Sequence, residues 1–393
     1  MANNFLQLIF AVILLGLSGL PSRAAEVLTE GTQLRQEGGL IILALGLSAE
    51  TPFKAYTLDN PRRLLVDLGN TSLEAMPRGL AEGIPVVSAL RFGLFQLGQS
   101  RIVLDLAAPM AIESAVAGSG GIAIRLVPIS AAGFAAASST HPAALWQADQ
   151  LDPTIEGGAG LPLIAVDAGH GGLDNGAVQE GLVEKDIVLQ IAKTLRDVLL
   201  ADGRFRVLLT RESDVFIPLG ERVEIARRAG ARAFISLHAD VVTLGRARGT
   251  TVFSLSEAGE SQQALTIATL ENRADLVAGI SVEGEDDQLT QVLLQMAHRE
   301  TDALSNRFAD TMAETLWFQN ETEIKSRRMS GGFRVLRAPD IPSVLIELGF
   351  MSDDTDLVKL QDPDWQLSMA ENLRDGLSVW LRVEDEMRGL LRN

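Results

Sequence analysis

The pattern of apolar residues along this chain changes near residue 162, and that change constrains the fold more than any other feature of the sequence. From about Val27 to Pro128, strand-length apolar runs such as GLIILALGL and SRIVLDLAA follow one another, separated by Gly, Pro, Asn and Ser. The lack of a helical period predicts a small all-β sandwich domain over residues 26–128. Two of its runs, RLLVDL (Arg63–Leu68) and RIVLDL (Arg101–Leu106), resemble each other. Judged by their periodicity alone, they are typical of ordinary strands at the edges of a sheet.

Strands alternate with helices after Pro162. The apolar run LIAVDAG precedes EKDIVLQIAKTLRDVLLADG, whose apolar residues repeat at helical spacing, and the runs RVLLT and AFISLHAD flank a second amphipathic stretch, LGERVEIARRAG. This alternation predicts an α/β domain over residues 162–385, with a mainly parallel sheet flanked by helices. A polar and helical insertion at about 257–332 is too long for a bare loop, so we expect it to act as a lid or a binding element.

Two further segments complete the organisation. Residues 129–161 are rich in Ala, Ser, Gly and Pro, which predicts a linker and makes His141 a solvated bystander. The N-terminal run FLQLIFAVILLGL, followed by small residues, predicts a signal peptide over residues 1–25, cleaved after Ala24 or Ala25. An uncleaved anchor is the alternative, although the run is shorter than the ~20 residues of a spanning helix. After cleavage we expect no stable membrane span.

Charge and cysteine content exclude two classes of protein. The net charge of −17 argues against nucleic acid as a partner, because a phosphate backbone is bound by clustered Lys and Arg. The chain has 0 cysteines, which excludes a disulfide framework, so an exported chain of this kind depends on its hydrophobic cores.

Two of the four histidines in the chain follow runs that are predicted to be strands, His170 after LIAVDAG and His238 after AFISL. Glu184 comes directly before the first helix. Because the carboxyl ends of parallel strands meet at one edge of a sheet, these three side chains can reach one point. Catalytic zinc takes three nitrogen or oxygen ligands from the protein and keeps a position for water, so we predict one Zn²⁺ here. Asp174 is a candidate for orienting a ligand.

A carboxylate at the end of another apolar run completes the candidate chemistry. Glu347 follows SVLI, where a buried carboxylate is costly unless it has a partner. Beside a metal it could take a proton from water and return it to a leaving amine. The alternative is that His170 and His238 are ordinary hydrogen-bonded residues at the sheet edge. A phosphate-binding loop is disfavoured, because GHGGLDNG fits neither common phosphate motif.

Five ordered motifs carry a resemblance to a known family: VDAGHGGLDNGA, EKDIVLQIAKTLRDVL, LTRESDVFIPLGERVEIAR, FISLHAD and IPSVLIELGFMS. Over residues 163–381 the chain resembles the zinc-dependent N-acetylmuramoyl-L-alanine amidases. The resemblance implies metal ligands at His170, Glu184 and His238 and a catalytic glutamate at Glu347. It also implies peptidoglycan as the substrate, cut at the amide between N-acetylmuramic acid and L-alanine.

The N-terminal β region resembles the AMIN domain of the cell-division subgroup, which implies peptidoglycan binding, septal targeting, wall splitting between daughter cells and a periplasmic location. The insertion resembles the autoinhibitory segment of that subgroup, which implies a LytM-type activator protein as a partner. An acidic residue of the insertion would then complete the metal coordination at rest. Glu271, Glu283 and Glu285 are the candidates, and a solvated helix face is the alternative for each, as it is for His298.

Two other functions remain open on the sequence. One is a non-catalytic wall-binding or regulatory protein that keeps the fold, and the other is a zinc peptidase that acts on stem peptides. The fragments released from peptidoglycan would separate these alternatives from an amidase.

Overall fold

The computed structural model describes residues 24–118, 120–138, 153–242, 247–256, 261–280, 288–319 and 327–391. Nearly all of the predicted signal peptide lies outside these residues, as do His141, Glu283 and Glu285 and the side chain of His298. Within the described residues, no helix is both long and apolar enough to cross a membrane.

The N-terminal part is a sandwich of two sheets, as the sequence predicted. Its strands are β1 (Ala25–Glu37), β2 (Leu40–Leu47), β3 (Phe53–Leu58), β4 (Arg63–Gly69), β5 (Thr71–Ser72), β6 (Val87–Gln96), β7 (Gln99–Leu106), β8 (Met110–Gly118) and β9 (Gly121–Pro128). One sheet has the order β5-β1-β2-β9-β8 and the other has the order β3-β4-β7-β6. Between them lies an aliphatic core to which β4 and β7 contribute Leu64, Val66, Ile102 and Leu104.

The two similar runs are the central strands β4 and β7 of the four-stranded sheet, so their interpretation as sheet edges is wrong. Successive strand residues point to opposite faces, and here both faces are buried. Leu65 and Val103 lie on the face that points away from the sandwich core, and they pack in a second core shared with the α/β part. Periodicity could not predict this, because it does not show what covers a second apolar face.

The α/β part contains the strands β10 (Ile155–Glu156), β11 (Leu163–Ala168), β12 (Val178–Gln179), β13 (Leu182–Val183), β14 (Arg206–Leu209), β15 (Ala233–His238), β16 (Thr251–Leu255), β17 (Arg327–Gly331) and β18 (Ser343–Glu347). The helices of the chain are α1 (Ala131–Ala137), α2 (Glu184–Asp202), α3 (Leu219–Arg228), α4 (Gln262–Glu271), α5 (Ala274–Val277), α6 (Gln288–Gln319), α7 (Asp354–Gln361) and α8 (Pro363–Leu391).

Seven of these strands form one sheet with the order β10-β14-β11-β15-β18-β16-β17. The pairs β11–β14, β11–β15, β15–β18 and β16–β17 are parallel, whereas β10–β14 and β16–β18 are antiparallel. Helices α2, α6, α7 and α8 cover one face, and α3, α4 and the N-terminal domain cover the other. The prediction of a mainly parallel sheet flanked by helices is confirmed.

The predicted linker over residues 129–161 is structured at both ends, which corrects its extent. At its start, α1 is capped by the side chain of Ser130, and Phe134 is fully buried in the core of the β sandwich. At its end, β10 adds an antiparallel strand to the edge of the large sheet. Short helices and edge strands of this kind lack the long apolar period on which the linker prediction rested.

The insertion predicted at about 257–332 divides into two parts. Its second part belongs to the body of the domain, because α6 buries Phe308, Met312 and Leu316 against the sheet and β17 extends that sheet. Its first part, the α4–α5 segment (residues 261–280), reaches the carboxyl edge of the strands. The prediction of a single lid-like insertion is therefore wrong for α6, whose apolar stripe covers a sheet face that would otherwise be exposed.

Candidate metal centre

Three parallel strands bring the candidate residues to one edge of the sheet. His170 follows β11 by two residues, His238 is the last residue of β15 and Glu347 is the last residue of β18. Because β11, β15 and β18 are neighbours, their carboxyl ends lie side by side, and His238 pairs in register with Glu347. Glu184 reaches the same edge from the first turn of α2.

Four buried side chains converge there: His170, Glu184, His238 and Glu271. Their ligand atoms all lie within 4.8 Å of one another. The Nε2 atom of His170 is 3.1 Å from Glu184 Oε1 and 3.6 Å from Glu271 Oε2. The Nδ1 atom of His238 is 3.4 Å from Glu184 Oε1 and 2.9 Å from Glu271 Oε2. Of the candidate acids in the insertion, Glu271 is thus the one that the described residues bring to this cluster.

The inward nitrogens of both imidazoles fit a metal better than they fit a hydrogen-bond network. Neither His170 Nε2 nor His238 Nδ1 has a hydrogen-bond partner of acceptable geometry within the described residues, although carboxylate oxygens are close. Buried polar atoms are otherwise nearly always hydrogen-bonded. Burial opposes the charge of both rings, but nearby carboxylates raise the pKa of His238 to about 10 and that of His170 well above its usual value.

The backbone around His170 is strained and firmly fixed. His170 has a φ of 58°, in the left-handed region that side chains other than Gly rarely adopt. Its carbonyl accepts a bond of 2.6 Å from Arg222, and its Nδ1 donates to Asp174 at 2.9 Å. The Asp174 contact leaves Nε2 free to face the cluster, as expected for a metal-ligating imidazole. A Cβ at Gly169 would overlap the ring of His238, so the glycine there is required by close approach.

Glu184 is held by the backbone as well as by the imidazoles. Its Oε2 accepts from Ala177 N and its Oε1 from Ala239 N, each at 2.8 Å. Burial alone would raise the pKa of Glu184, but His170 and His238 bring this pKa well below its usual value. The carboxylate is therefore fixed and ionised at the edge of the sheet.

Glu347 differs from Glu184 because one of its oxygens is free. Its Oε2 accepts from Asp240 N at 3.0 Å, whereas Oε1 has no hydrogen-bond partner among the described residues. Burial raises the pKa of Glu347 well above its usual value; His238 lowers it, and Asp240 and Glu271 raise it further. Its raised pKa makes this carboxylate a stronger base than an exposed glutamate.

A buried ionic network behind the cluster was missed by the sequence analysis. Asp167 accepts from Arg222 at 2.9 Å and from Ser236 at 2.7 Å, and the Ser236 hydroxyl lies 3.2 Å from His238 Nε2. Arg211 donates to the carbonyls of residues 168 and 169. The sequence contains a signal for both arginines, since Arg222 interrupts the apolar face of α3 and Arg211 comes directly after the apolar run RVLLT.

The α4–α5 segment closes the cluster from outside. A cleft of about 360 Å³ lies between this segment and the sheet edge, lined among others by His170, Asp240, Glu271 and Val277. Glu271 itself is 4% exposed. The arrangement can therefore hold a divalent cation with two imidazoles and one or two carboxylates, with a proton-accepting carboxylate beside it.

Comparison with known proteins identifies the larger part of the chain. The family model described as N-acetylmuramoyl-L-alanine amidase matches residues 164–379. The chain belongs to this family. The AMIN domain model matches residues 32–126, so the amidase also contains an AMIN domain. The resemblance carried by the five motifs and by the N-terminal β region is thereby confirmed.

Several curated relatives match most of this amidase. N-acetylmuramoyl-L-alanine amidase AmiC of Escherichia coli O6:H1 is 33% identical over 349 residues, which cover 84% of this chain and 83% of that protein. N-acetylmuramoyl-L-alanine amidase AmiC of Neisseria meningitidis serogroup B is 32% identical and covers 88% of each chain. N-acetylmuramoyl-L-alanine amidase AmiA of Escherichia coli K12 is 35% identical over 60% of this chain and 82% of its own.

Proposed function

We propose that this amidase hydrolyses the amide bond between N-acetylmuramic acid and L-alanine in peptidoglycan, with one Zn²⁺ held by His170, Glu184 and His238. The observation that carries the proposal is the convergence of these buried ligand atoms beside the free oxygen of Glu347. The names of the relatives support the choice of substrate.

The donor set suits zinc because it offers two nitrogens and a carboxylate oxygen at one point, as catalytic zinc sites do. When bound, Zn²⁺ acts as a Lewis acid that polarises the scissile carbonyl and lowers the pKa of water. His170 and His238 keep fixed orientations through Asp174 and Ser236, which reduces the rearrangement needed to bind the ion.

Glu347 is the proton carrier of the proposed reaction. Its free Oε1 takes the proton of the attacking water, and its neutral carboxyl then gives that proton to the departing nitrogen of L-alanine. The raised pKa of Glu347 makes its carboxylate a stronger base for the first step, and the proton gained there is then available for the departing nitrogen. Asp240 N fixes the other oxygen, so Oε1 is the oxygen left to carry the proton.

Glu271 supports an autoinhibited resting state. Its Oε2 lies 3.6 Å from His170 Nε2 and 2.9 Å from His238 Nδ1, and in this proposal it takes the coordination position of the water or the substrate carbonyl. The α4–α5 segment must therefore move before peptidoglycan can bind, and a LytM-type activator protein is the partner that we propose for this step. The remaining assignments extend the same proposal: a signal peptide over residues 1–25, a periplasmic location and septal wall splitting directed by the AMIN domain.

The proposed domain limits follow the sequence analysis, with the two structural corrections. They are a wall-binding AMIN domain over residues 26–128, a linker within 129–161 and a zinc amidase domain over 162–385. The regulatory element is confined to the α4–α5 segment. Removal of the whole stretch 257–332 would also remove the core helix α6, so a point variant is the better test.

The decisive experiment compares Glu271→Ala with Glu271→Ala/Glu347→Gln on purified sacculi, followed by mass analysis of the soluble fragments. We expect the first variant to release stem peptides that begin with L-alanine, and the second to release none while it retains zinc. Glu384→Gln in the Glu271→Ala background is the matched control, because Glu384 is also buried but pairs with Arg307.

Each alternative predicts a different result in this experiment. Fragments cut between other residues would establish a zinc peptidase instead, and the absence of fragments from a zinc-loaded Glu271→Ala protein would leave a wall-binding protein. Loss of zinc from the Glu347→Gln variant would make Glu347 a ligand and contradict its proposed role.

A further inference from the structure

The AMIN domain of this chain packs directly against the segment that carries Glu271. The outer face of the sheet β3-β4-β7-β6 contributes Tyr56, Leu65, Phe95 and Val103 to the same core as Ala274, Ala278 and Ile280 of the α4–α5 segment. Phe95 also stacks on Phe216 of the amidase domain, with ring centroids 6.3 Å apart. The AMIN domain is therefore docked on the amidase domain through a buried apolar surface. A domain joined only by a flexible linker would not need such a surface.

Three arginines of this sheet bind three consecutive carbonyls at the end of α5. Arg63 Nη1 donates to the Leu276 carbonyl at 2.7 Å. Arg91 Nε donates to the Val277 carbonyl at 3.3 Å, and Arg101 Nη1 donates to the Ala278 carbonyl at 3.1 Å. Arg63 and Arg101 are the first residues of the two similar runs in the sequence, RLLVDL and RIVLDL.

The guanidinium groups are oriented by the AMIN domain itself. Arg101 forms a bidentate pair with Asp67, at 2.6 and 2.9 Å, and lies 3.4 Å over the ring of Phe95. Arg91 forms a bidentate pair with Asp105, at 2.8 and 2.6 Å. Bidentate carboxylate pairs fix the plane of a guanidinium, so these donors are positioned before the segment docks.

The same segment is also held to the amidase domain, both by apolar side chains of α4 such as Ile267 in their shared core and by polar contacts. Asn272 Nδ2 donates to the Gly332 carbonyl at 2.8 Å, and the Asp275 carboxylate accepts from Leu219 N at 3.0 Å. Glu271 lies next to Asn272 and reaches the metal site. The segment is thus sandwiched between the AMIN domain and the site that Glu271 fills.

We propose that the AMIN domain is the clamp of the autoinhibitory segment: its three arginines and Leu65 hold α5, and through α5 they hold Glu271 in the metal site. This inference rests on the autoinhibition proposed above. It assigns to the AMIN domain a regulatory role in addition to wall binding. Displacement of the AMIN domain from α5 releases Glu271 even when the amidase domain is unchanged.

A substitution that adds one methyl group can test the clamp, because the backbone of Gly279 lies directly against the side chain of Leu65. A Cβ at Gly279 would overlap the Cδ2 atom of Leu65, so Gly279→Ala should push the AMIN domain away from α5. Gly279 also has a φ of 73°, which strains any alanine placed there. Gly203→Ala is the matched control, since Gly203 has a φ of 77° and nothing within 4 Å of its Cβ position.

Two quantities are measured for each full-length protein: the rate of release of L-alanine-terminated peptides from sacculi, and the rate at which a chelator removes the metal. We expect Gly279→Ala to raise both rates at least about fivefold over wild type, at the lower end of typical coupling between sites. Gly203→Ala should leave both unchanged. Equal rates in the two glycine variants would overturn the proposal.

A compensating variant separates the domain interface from strain within the segment. Leu65→Ala removes the atoms that the new methyl group meets, so Leu65→Ala/Gly279→Ala should return both rates toward those of Leu65→Ala alone. If Leu65→Ala alone is as inactive as wild type and the double variant stays as active as Gly279→Ala, the segment is loosened by its own backbone and the clamp is refuted. Arg91→Met gives a second route, with a smaller rise in both rates expected because two arginines remain.

The clamp and the proposed function fail in distinguishable ways. A Glu271→Ala protein that releases no such peptides contradicts the proposed function. A Glu271→Ala protein that is active, together with a Gly279→Ala protein that is as inactive as wild type, contradicts only the clamp.

Discussion

Glu184 and Glu271 contact the same two imidazoles, but they belong to regions of the molecule that are attached very differently. Glu184 begins α2, whose apolar face is buried in the core, and its carboxylate accepts two backbone hydrogen bonds. Glu271 ends α4, a helix of 10 residues on which Leu265 and Leu270 are 47% and 40% exposed. One carboxylate is part of the domain core, and the other comes from a thin covering element.

This difference indicates how one site can be both stable and switchable. The sheet edge is braced by the network of Asp167, Arg222 and Ser236, so opening it requires the core to open. The α4–α5 segment packs on one face of the sheet but leaves Leu265 and Leu270 exposed, and covering elements of this kind open locally at lower free energy than the core. In the proposed function, the permanent half of the site (His170, Glu184 and His238) keeps the metal while the removable half (Glu271 on the α4–α5 segment) controls access to it.

The largest effect on activity should come from loss of a metal ligand in the permanent half of the site. His238→Ala removes one of the two imidazole ligands of the proposed site, so the metal should be lost from the protein. Because Lewis-acid activation contributes several kcal/mol, turnover in the Glu271→Ala background should fall by about a thousandfold or more. Metal content by mass spectrometry, with circular dichroism to verify folding, checks this prediction. A fully metallated His238→Ala protein would contradict the proposed site.

The next effect concerns the network behind the site. Asp167→Asn leaves the buried Arg222 without its charged partner, so the free energy of unfolding should fall by about 3 kcal/mol. Asp340→Asn is the control, because Asp340 is exposed and its pair with Arg227 is worth about 1 kcal/mol or less. Urea unfolding of both variants measures the difference. If both variants lose the same free energy of unfolding, the buried network at the sheet edge stabilises the fold no more than an exposed ion pair does.

The same network sets a pH dependence. Burial alone would raise the pKa of Asp167, but Arg222 and two hydroxyl groups bring it below its usual value. A carboxylate with a lowered pKa stabilises the fold above about pH 4 and loses this effect as the pH falls through the folded-state value. The stability difference between wild type and Asp167→Asn should therefore be complete at pH 7 and shrink under acid conditions.

The sequence was sufficient to predict that the residues of the permanent half meet at one edge of the sheet; their roles stay a proposal. The edge residues follow buried strands, and the rule that parallel strands share a carboxyl edge brings His170, His238 and Glu347 together. The position of Glu184 at the start of α2 was predicted by the helical period that follows it. These are local signals, and the structure places all four residues on one edge.

The removable half could not be predicted in the same way. Glu271, Glu283 and Glu285 are equivalent as residue types, and only the path of the segment brings Glu271 to the imidazoles. The period of α6 predicted a helix but not that it covers the sheet. The docking of the AMIN domain was missed as well, because the pattern of RLLVDL and RIVLDL shows alternating faces without showing the partner of each face.

A smaller effect should follow from removal of Glu271 alone. Glu271→Ala should raise the basal release of L-alanine-terminated peptides about tenfold or more and leave the metal in place, because the sheet edge keeps its three ligands. The matched control is Glu314→Ala, an exposed glutamate of α6. Loss of metal from Glu271→Ala would mean that Glu184 and Glu271 contribute equally to metal binding and would contradict a removable role for Glu271.

The smallest effect should be a change, by a fraction of a proton, in the number of protons that metal binding releases. Burial lowers the pKa of His238, but Glu271 is the largest influence in the other direction and the pKa reaches about 10. Without metal, His238 is therefore protonated at pH 8, and metal binding, which needs the neutral ring, must release that proton. In Glu271→Ala the pKa of His238 falls, so less of the ring is protonated and fewer protons are released. Titration calorimetry in two buffers of different ionisation enthalpy measures this number, and an unchanged number would show that Glu271 does not act on His238 in solution.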